Sequence, residues 1–233
     1  MTENSMDLAA LVVQRPEQAA QLVLLFHGEF TDAQAMVPCA QALAAVFPQA
    51  LVACIQAPHA ATGSDARQWL GPVPAGDEAA WQTEVQQALP RFQRAIAWWQ
   101  TQTGVASDAT ALVGFGQGAT LVLESTQCAP APASRVVAIA GRFANLPEDD
   151  RYRGTIHFLH GKNDSTVSYH HTIAGAYRVR DLGLDLTAEV VPFIGHELHA
   201  DFIEATVEKL SQHISKHLWD DALAARQDPP TPH

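Results

Sequence analysis

The stretch Asp108-Ala109-Thr110-Ala111-Leu112-Val113-Gly114-Phe115-Gly116-Gln117-Gly118-Ala119-Thr120-Leu121-Val122-Leu123-Glu124 reads as strand, tight turn and helix. Ala109 to Val113 is a short apolar run. From Ala119 the residues Ala119, Leu121, Val122 and Leu123 suit a helix lying on a sheet. The glycines at 114, 116 and 118 mark a backbone that bends very sharply, or that approaches something too closely for a Cβ. Two functional patterns fit. One is the nucleophile elbow G-x-S-x-G, with Gly116 at the serine position. The other is the dinucleotide turn G-x-G-x-x-G/A, met by Gly114, Gly116 and Ala119.

Outward from this turn, strands alternate with helices. Leu11 to Val13 is an expected edge strand, and Gln21 to Phe26 is an almost unbroken apolar run, as in a strand covered on both faces. Asp32 caps an expected helix through Phe47, ended by Pro48. Leu51 to Ile55 is the next buried strand, and a long loop from Gln56 to Gly76 follows it. Glu78 to Gln102 shows helical spacing of Trp81, Val85, Leu89, Phe92, Ile96 and Trp99, with Pro90 expected to kink or divide the helix. Later come strands at Arg135 to Ala140, Thr155 to Gly161 and Leu186 to Val191, and helices at about Tyr169 to Asp181 and Phe202 to Trp219. The alternation implies one domain over residues 1–225, with a mainly parallel central sheet and helices on both faces. Residues 226–233, with three prolines, read as a flexible tail.

Composition narrows the function. With 233 residues and 47% hydrophobic content the chain is globular, and no apolar run approaches the ~20 residues of a membrane span. The first ten residues lack the pattern of a signal peptide, so a cytoplasmic location is expected. A formal charge of −11 disfavours nucleic acid as a partner. Cys39, Cys54 and Cys128 are odd in number and scattered, and read as core packing rather than disulfides or a metal site. His196, Glu197, His199 and Asp201 are near neighbours, but lack the HExxH spacing that sets two ligands on one helical turn, as does the pair His170-His171. No cofactor or metal is expected.

In a sheet of this kind chemistry gathers beyond the carboxyl ends of the strands. The dinucleotide pattern needs an acidic residue after the next strand, where the chain has Ala140-Gly141-Arg142; Arg142 alone offers a 2′-phosphate contact. The hydrolase pattern needs an acid and then a histidine after later strands, which Asp164 and His196 supply in that order. It also needs a backbone amide beside a glycine after an early strand, which His27-Gly28-Glu29 supplies.

Phe26-His27-Gly28, Arg67-Gln68-Trp69, Leu112-Val113-Gly114-Phe115-x-Gln117-Gly118, Leu159-His160-Gly161-x-x-Asp164 and Gly195-His196 together resemble the phospholipase/carboxylesterase family of α/β-hydrolases. The family includes acyl-protein thioesterases, and the likeness is nearest to small bacterial YpfH-type esterases. It runs from about Leu11 to Trp219. It implies an α/β-hydrolase fold, a Ser-Asp-His mechanism with Asp164 as acid and His196 as base, and an oxyanion hole from the N–H groups of Gln117 and Glu29. Arg67, Gln68 and Trp69 would lie in a loop over the substrate, with Phe30 as a further substrate-binding position. The implied ligand is a small acyl ester, and the chain a monomer or homodimer.

Two departures stand out. Gly116 has no hydroxyl, and loss of such a serine costs on the order of 10⁶ in turnover, roughly 8 kcal/mol of barrier reduction. Relatives show His-Gly-hydrophobic-Gly-Asp where this chain has His27-Gly28-Glu29-Phe30-Thr31, and a Glu29 carboxylate near a developing oxyanion opposes catalysis. A deliberate knock-out accounts for Gly116 and leaves the changed loop unexplained, so the pair reads as a naturally altered hydrolase. The expected function is a small-acyl carboxylesterase or thioesterase, impaired or inactive at Gly116. The alternatives are a non-catalytic acyl-binding protein and a dinucleotide-binding protein.

Overall fold

The computed structural model describes residues 9–61 and 65–213. Its centre is a seven-stranded sheet built from β1 (Ala10–Gln14), β2 (Gln21–Phe26), β3 (Ala50–Ile55), β6 (Thr110–Phe115), β7 (Arg135–Ile139), β8 (Thr155–Gly161) and β9 (Asp185–Val191), in the order β1-β3-β2-β6-β7-β8-β9. All neighbours pair in parallel except β1 with β3. β4 (His59–Ala60) and β5 (Arg67–Gln68) form a separate two-residue ladder. The mainly parallel sheet is the one that the alternating strand and helix patterns led one to expect, and the arrangement is that of the α/β-hydrolase fold implied by the family resemblance.

The period of two along β2 sets the layering. Leu22, Leu24 and Phe26 face one side, packed with Val85, Phe92, Ile96 and Trp99 of α2 (Glu78–Thr103), with Leu121 to Leu123 of α3 (Gln117–Ser125), and with Ala176 and Val179 of α4 (Tyr169–Asp181). Val23 and Leu25 face the other side, packed with Cys39, Ala40 and Leu43 of α1 (Val37–Val46) and with Phe202, Ala205 and Leu210 of α5 (Ala200–Gln212). Every residue of β3 and β8 is buried, as in strands covered on both faces, and β8 takes Thr155, His157 and His160 inside with it.

Several expectations need correction. Asp32 caps a short 3-10 turn, Ala33–Met36, by accepting from Gln34 N–H, and α1 begins only at Val37, where Pro38 fits the first helical turn. Pro90 does not divide α2: the helix runs unbroken for 26 residues, because Val85 and Phe92 on either side of it are both locked into the core. The Gln56 to Gly76 segment is not one open loop, since β4 pairs with β5 and Thr31 bridges to Arg67. Cys39 and Cys54 are buried as expected, but Cys128 is only half-buried. The expected end of the last helix, residues 214–219, and the tail at 226–233 lie outside the described residues. No helix among the described residues is long and apolar enough to cross a membrane.

β8 also places a histidine in the core. His157 is fully buried, its Nδ1 pairs with Thr187 Oγ1 at 2.8 Å, and its Nε2 has no partner among the described residues. Burial first, then the neighbouring His213, lowers its pKa from 6.5 to about 3. Folded His157 therefore stays neutral while the unfolded chain takes up a proton below about pH 6.5, so acidification from there toward about pH 3 favours unfolding. His27 and His160, also lowered by burial, act in the same direction. Urea unfolding at pH 7 and pH 5 should show a smaller loss of stability for His157→Gln than for the parent chain; equal losses would contradict the assignment.

Candidate active site

β6 delivers Gly116 in a conformation that side chains rarely adopt. Its φ is 54° and its ψ −118°, its N–H donates to Ile139 O at 3.0 Å, and its carbonyl accepts from Thr120 N–H at 3.1 Å. The chain thereby reverses from strand to helix in a single residue. The flanking glycines make room for it. A Cβ on Gly118 would stand 2.3 Å from Phe26 O, and one on Gly114 would stand 2.5 Å from the Ala119 backbone. The elbow is retained although it carries no side chain.

Around it, at the same end of the sheet, stand the loops that follow β2, β7, β8 and β9. Three of these loops each hold a non-glycine residue at positive φ: Phe30 at 56°, Ala140 at 52° and Phe193 at 66°. Each such residue stores roughly 1 to 3 kcal/mol of strain, which the surrounding packing must hold. Phe30 and Phe193 are also exposed, at 69% and 89%.

The loop after β8 presents Asp164 with its side chain wholly buried. Oδ1 accepts from the N–H groups of Thr166 and Val167, both at 2.8 Å, while Oδ2 lies 2.7 Å from His196 Nδ1. Four fixed contacts hold this carboxylate, because His160 Nε2 also reaches Oδ2 at 3.2 Å. His160 Nε2 faces two acceptors, Asp164 Oδ2 and Val167 O at 2.9 Å, so that nitrogen carries the proton. Burial holds the His160 pKa below its usual range, keeping the ring neutral, and Nδ1 pairs with Thr172 Oγ1 at 2.7 Å. The sequence reading placed His160 in a motif without giving it a part in the site. Its only local signal is the four-residue spacing to Asp164.

His196 comes from the loop after β9 and packs its ring on Phe115, 4.9 Å between centroids. Its Nε2 lies 3.4 Å from the position of a Cβ on Gly116. Gly116, Asp164 and His196 are therefore brought together. His199 and Asp201 are not part of that group: His199 caps α5 by accepting from Asp201 N–H. Among the described residues no set of three or more histidine, cysteine or acidic side chains is placed to hold a metal ion.

The loop after β2 gives the least expected feature. Gln117 N–H, the amide just past the elbow, donates to Glu29 Oε2 at 3.1 Å. The same oxygen lies 2.7 Å from where a Cβ on Gly116 would be. The carboxylate thus fills the space that a side chain at 116 would need. The family resemblance implied that Glu29 stands beside this amide; it did not show the carboxylate accepting from it, because that depends on how the loop turns.

Trp69 has a different place from a substrate-covering wall. It is 2% exposed, packs edge-on against Phe26 and Phe92, and its indole N–H donates to His27 O at 2.8 Å. Gln117 Oε1 accepts from Trp69 N–H at 3.0 Å and Leu70 N–H at 3.3 Å, tying this loop to the start of α3. Gln68 is likewise buried, and Arg67 N–H donates to Thr31 O at 2.7 Å. These residues brace the Glu29 loop from beneath. His27 completes the brace: its Nε2 accepts from Ala57 N–H at 3.0 Å, which leaves the Nδ1 proton for Gly28 O at 2.7 Å. Arg142, the residue a dinucleotide phosphate would need, is held by Glu78 through two 2.8 Å bonds and lies over Trp81.

With this geometry in view, known proteins are similar in both sequence and shape. The family model described as Phospholipase/Carboxylesterase matches residues 8–218. Esterase YpfH of Escherichia coli (strain K12) is 37% identical over 214 residues, covering 91% of this chain and 92% of its own. The crystal structure of esterase PE8 superposes with a TM-score of 0.82 at 23% identity, covering 89% of this chain and 99% of that one. The Bacillus cereus carboxylesterase superposes with a TM-score of 0.71 at 13% identity, covering 87% and 92%.

Glycine at 116 and glutamate at 29 fit each other, and a side chain at 116 displaces the carboxylate. Gly116→Ser should lower stability by about 1 to 3 kcal/mol, the cost of a strained non-glycine residue. Part of that cost should vanish when Glu29→Ala is added, as a double-mutant cycle of urea unfolding would read. An unchanged melting temperature in Gly116→Ser, or strict additivity, would contradict the coupling.

Proposed function

The chain belongs to the phospholipase/carboxylesterase family of α/β-hydrolases, and on that premise we propose that it hydrolyses small apolar acyl esters or thioesters slowly, with His196 as a general base acting on water. One observation carries this reading: His196 Nδ1 is 2.7 Å from the buried Asp164 carboxylate, while Nε2 is aimed at the volume above Gly116. Asp164 fixes the ring so that Nδ1 holds a proton and Nε2 is free to accept one. In the proposed reaction Nε2 removes a proton from water, the oxygen attacks the acyl carbon, and Asp164 stabilises the imidazolium that forms. The same proton then goes to the departing alcohol or thiol. Gln117 N–H, once the Glu29 carboxylate has swung off it, and Glu29 N–H are the proposed donor pair for the oxyanion, and Phe30 and Phe193 offer exposed apolar surface nearby.

A serine-type acyl-enzyme is outside this scheme, since Gly116 has nothing to acylate. The Glu29 carboxylate on Gln117 N–H favours a second reading, in which acyl ligands bind without turnover. The proposed ligand is a small molecule, the proposed setting the cytoplasm, and the assembly a monomer or homodimer.

p-Nitrophenyl acetate tests the scheme. Hydrolysis should fall at least ~100-fold in His196→Ala, the lower end of what a proton-transfer group contributes, and should be insensitive to fluorophosphonates. Equal rates in the parent and His196→Ala would refute it. Thermal stabilisation by acyl ligands with no hydrolysis would favour the binding alternative.

A further inference from the structure

Glu29 has two carboxylate oxygens in different situations. Oε2 is anchored by Gln117 N–H, beside the empty side-chain position of Gly116. Oε1 has no hydrogen-bond partner among the described residues and is not among the buried unpaired atoms, so it keeps contact with solvent on the half-buried Glu29 side chain. Meanwhile the elbow, His196 and the four-contact Asp164 are all retained, which is machinery for moving a proton beside an acyl intermediate. A Cβ at 116 would lie 2.7 Å from Oε2, so a side chain there would move the carboxylate from its present seat.

We propose that Glu29 is a catalytic nucleophile in place of the missing serine, taking acyl groups from thioesters. This rests on the general-base reading of His196 and adds the species that the activated water attacks. Glu29 Oε1 forms a bond to the acyl carbon, and the carboxylate charge passes to the substrate oxygen. As Oε2 becomes a carbonyl oxygen its hold on Gln117 N–H weakens, and that donor becomes available to the new oxyanion. The tetrahedral species collapses with cleavage of the carbon–sulfur bond, releasing thiolate and leaving an acyl-glutamyl anhydride. Water, giving a proton to His196 Nε2, attacks the acyl carbon; the carbon–oxygen bond to Glu29 breaks and the carboxylate is restored. The proton on His196 passes to the thiolate. One thioester and one water yield one carboxylic acid and one thiol.

The leaving group sets the substrate class. A carboxylate is a weak base, and a thiolate, whose conjugate acid has a pKa of about 8.5, competes with it far better as a leaving group than an alkoxide does. By the Glu29 route thioesters, and esters of acidic phenols, are therefore turned over, while simple alkyl esters are left to the slower direct attack of water.

The test compares S-phenyl thioacetate turnover by the parent chain, Glu29→Gln and His196→Ala, with and without hydroxylamine. Glutamine keeps an oxygen acceptor for Gln117 N–H, so the loop retains its anchor. Glu29→Gln should lose at least ~100-fold in kcat/KM. During turnover by the parent, hydroxylamine should convert Glu29 to its hydroxamate, seen by peptide mass, and the yield should rise in His196→Ala, where anhydride hydrolysis is slowed. The proposal is overturned if Glu29→Gln works as fast as the parent or faster, which makes the carboxylate an obstruction, if Glu29 remains unmodified during turnover, or if the parent does not turn over. Loss in Glu29→Gln with full activity in His196→Ala keeps the nucleophile and refutes the general base. The reverse result keeps the base and refutes the nucleophile.

Discussion

A single backbone amide organises the site: Gln117 N–H, presented by the bend at Gly116, with the Glu29 carboxylate held on it at 3.1 Å. The contact exists because residue 116 combines a positive φ with no Cβ. A serine at this position would strain the backbone and collide with the carboxylate at once. The two departures from the family pattern thus meet at one place. Glycine opens the volume, and glutamate occupies it with a charge that the amide dipole stabilises.

Two braces keep that arrangement in place. Beneath the Glu29 loop, Trp69 is sunk into the core against Phe26 and Phe92, and its indole N–H fixes His27 O, while Gln117 Oε1 holds the Trp69 and Leu70 amides. On the other side, Asp164 is fixed by two backbone amides, by neutral His160 and by His196. A buried carboxylate with so many partners avoids the desolvation cost of an unpaired charge, and it orients the His196 ring without needing the ring to be charged. The sheet supplies the common base, since β2, β6, β7, β8 and β9 all end on one edge.

The fold was legible because its signals are local. Apolar runs such as Gln21–Phe26 and Leu51–Ile55 mark strands covered on both faces, and the glycines at 114, 116 and 118 mark the bend. Gly116, Asp164 and His196 could be placed at one end of the sheet because each follows a strand. What sequence did not show depends on side-chain direction. Trp69 was expected in a loop over the substrate, yet long-range packing draws it inside. Pro90 was expected to kink or divide its helix, and it does not divide it: core contacts on both sides outweigh the one backbone hydrogen bond that it removes. The contact of His160 with Asp164 and the seat of the Glu29 carboxylate arise from loop conformation, which no periodicity encodes.

The most direct measurement is a high-resolution crystal structure of the unliganded chain, read at the elbow. The account predicts Gly116 at positive φ, with a Glu29 carboxylate oxygen within hydrogen-bond distance of Gln117 N–H and His196 Nδ1 bonded to Asp164. A Glu29 side chain turned away from Gln117 N–H, or an extended backbone at Gly116, would contradict it.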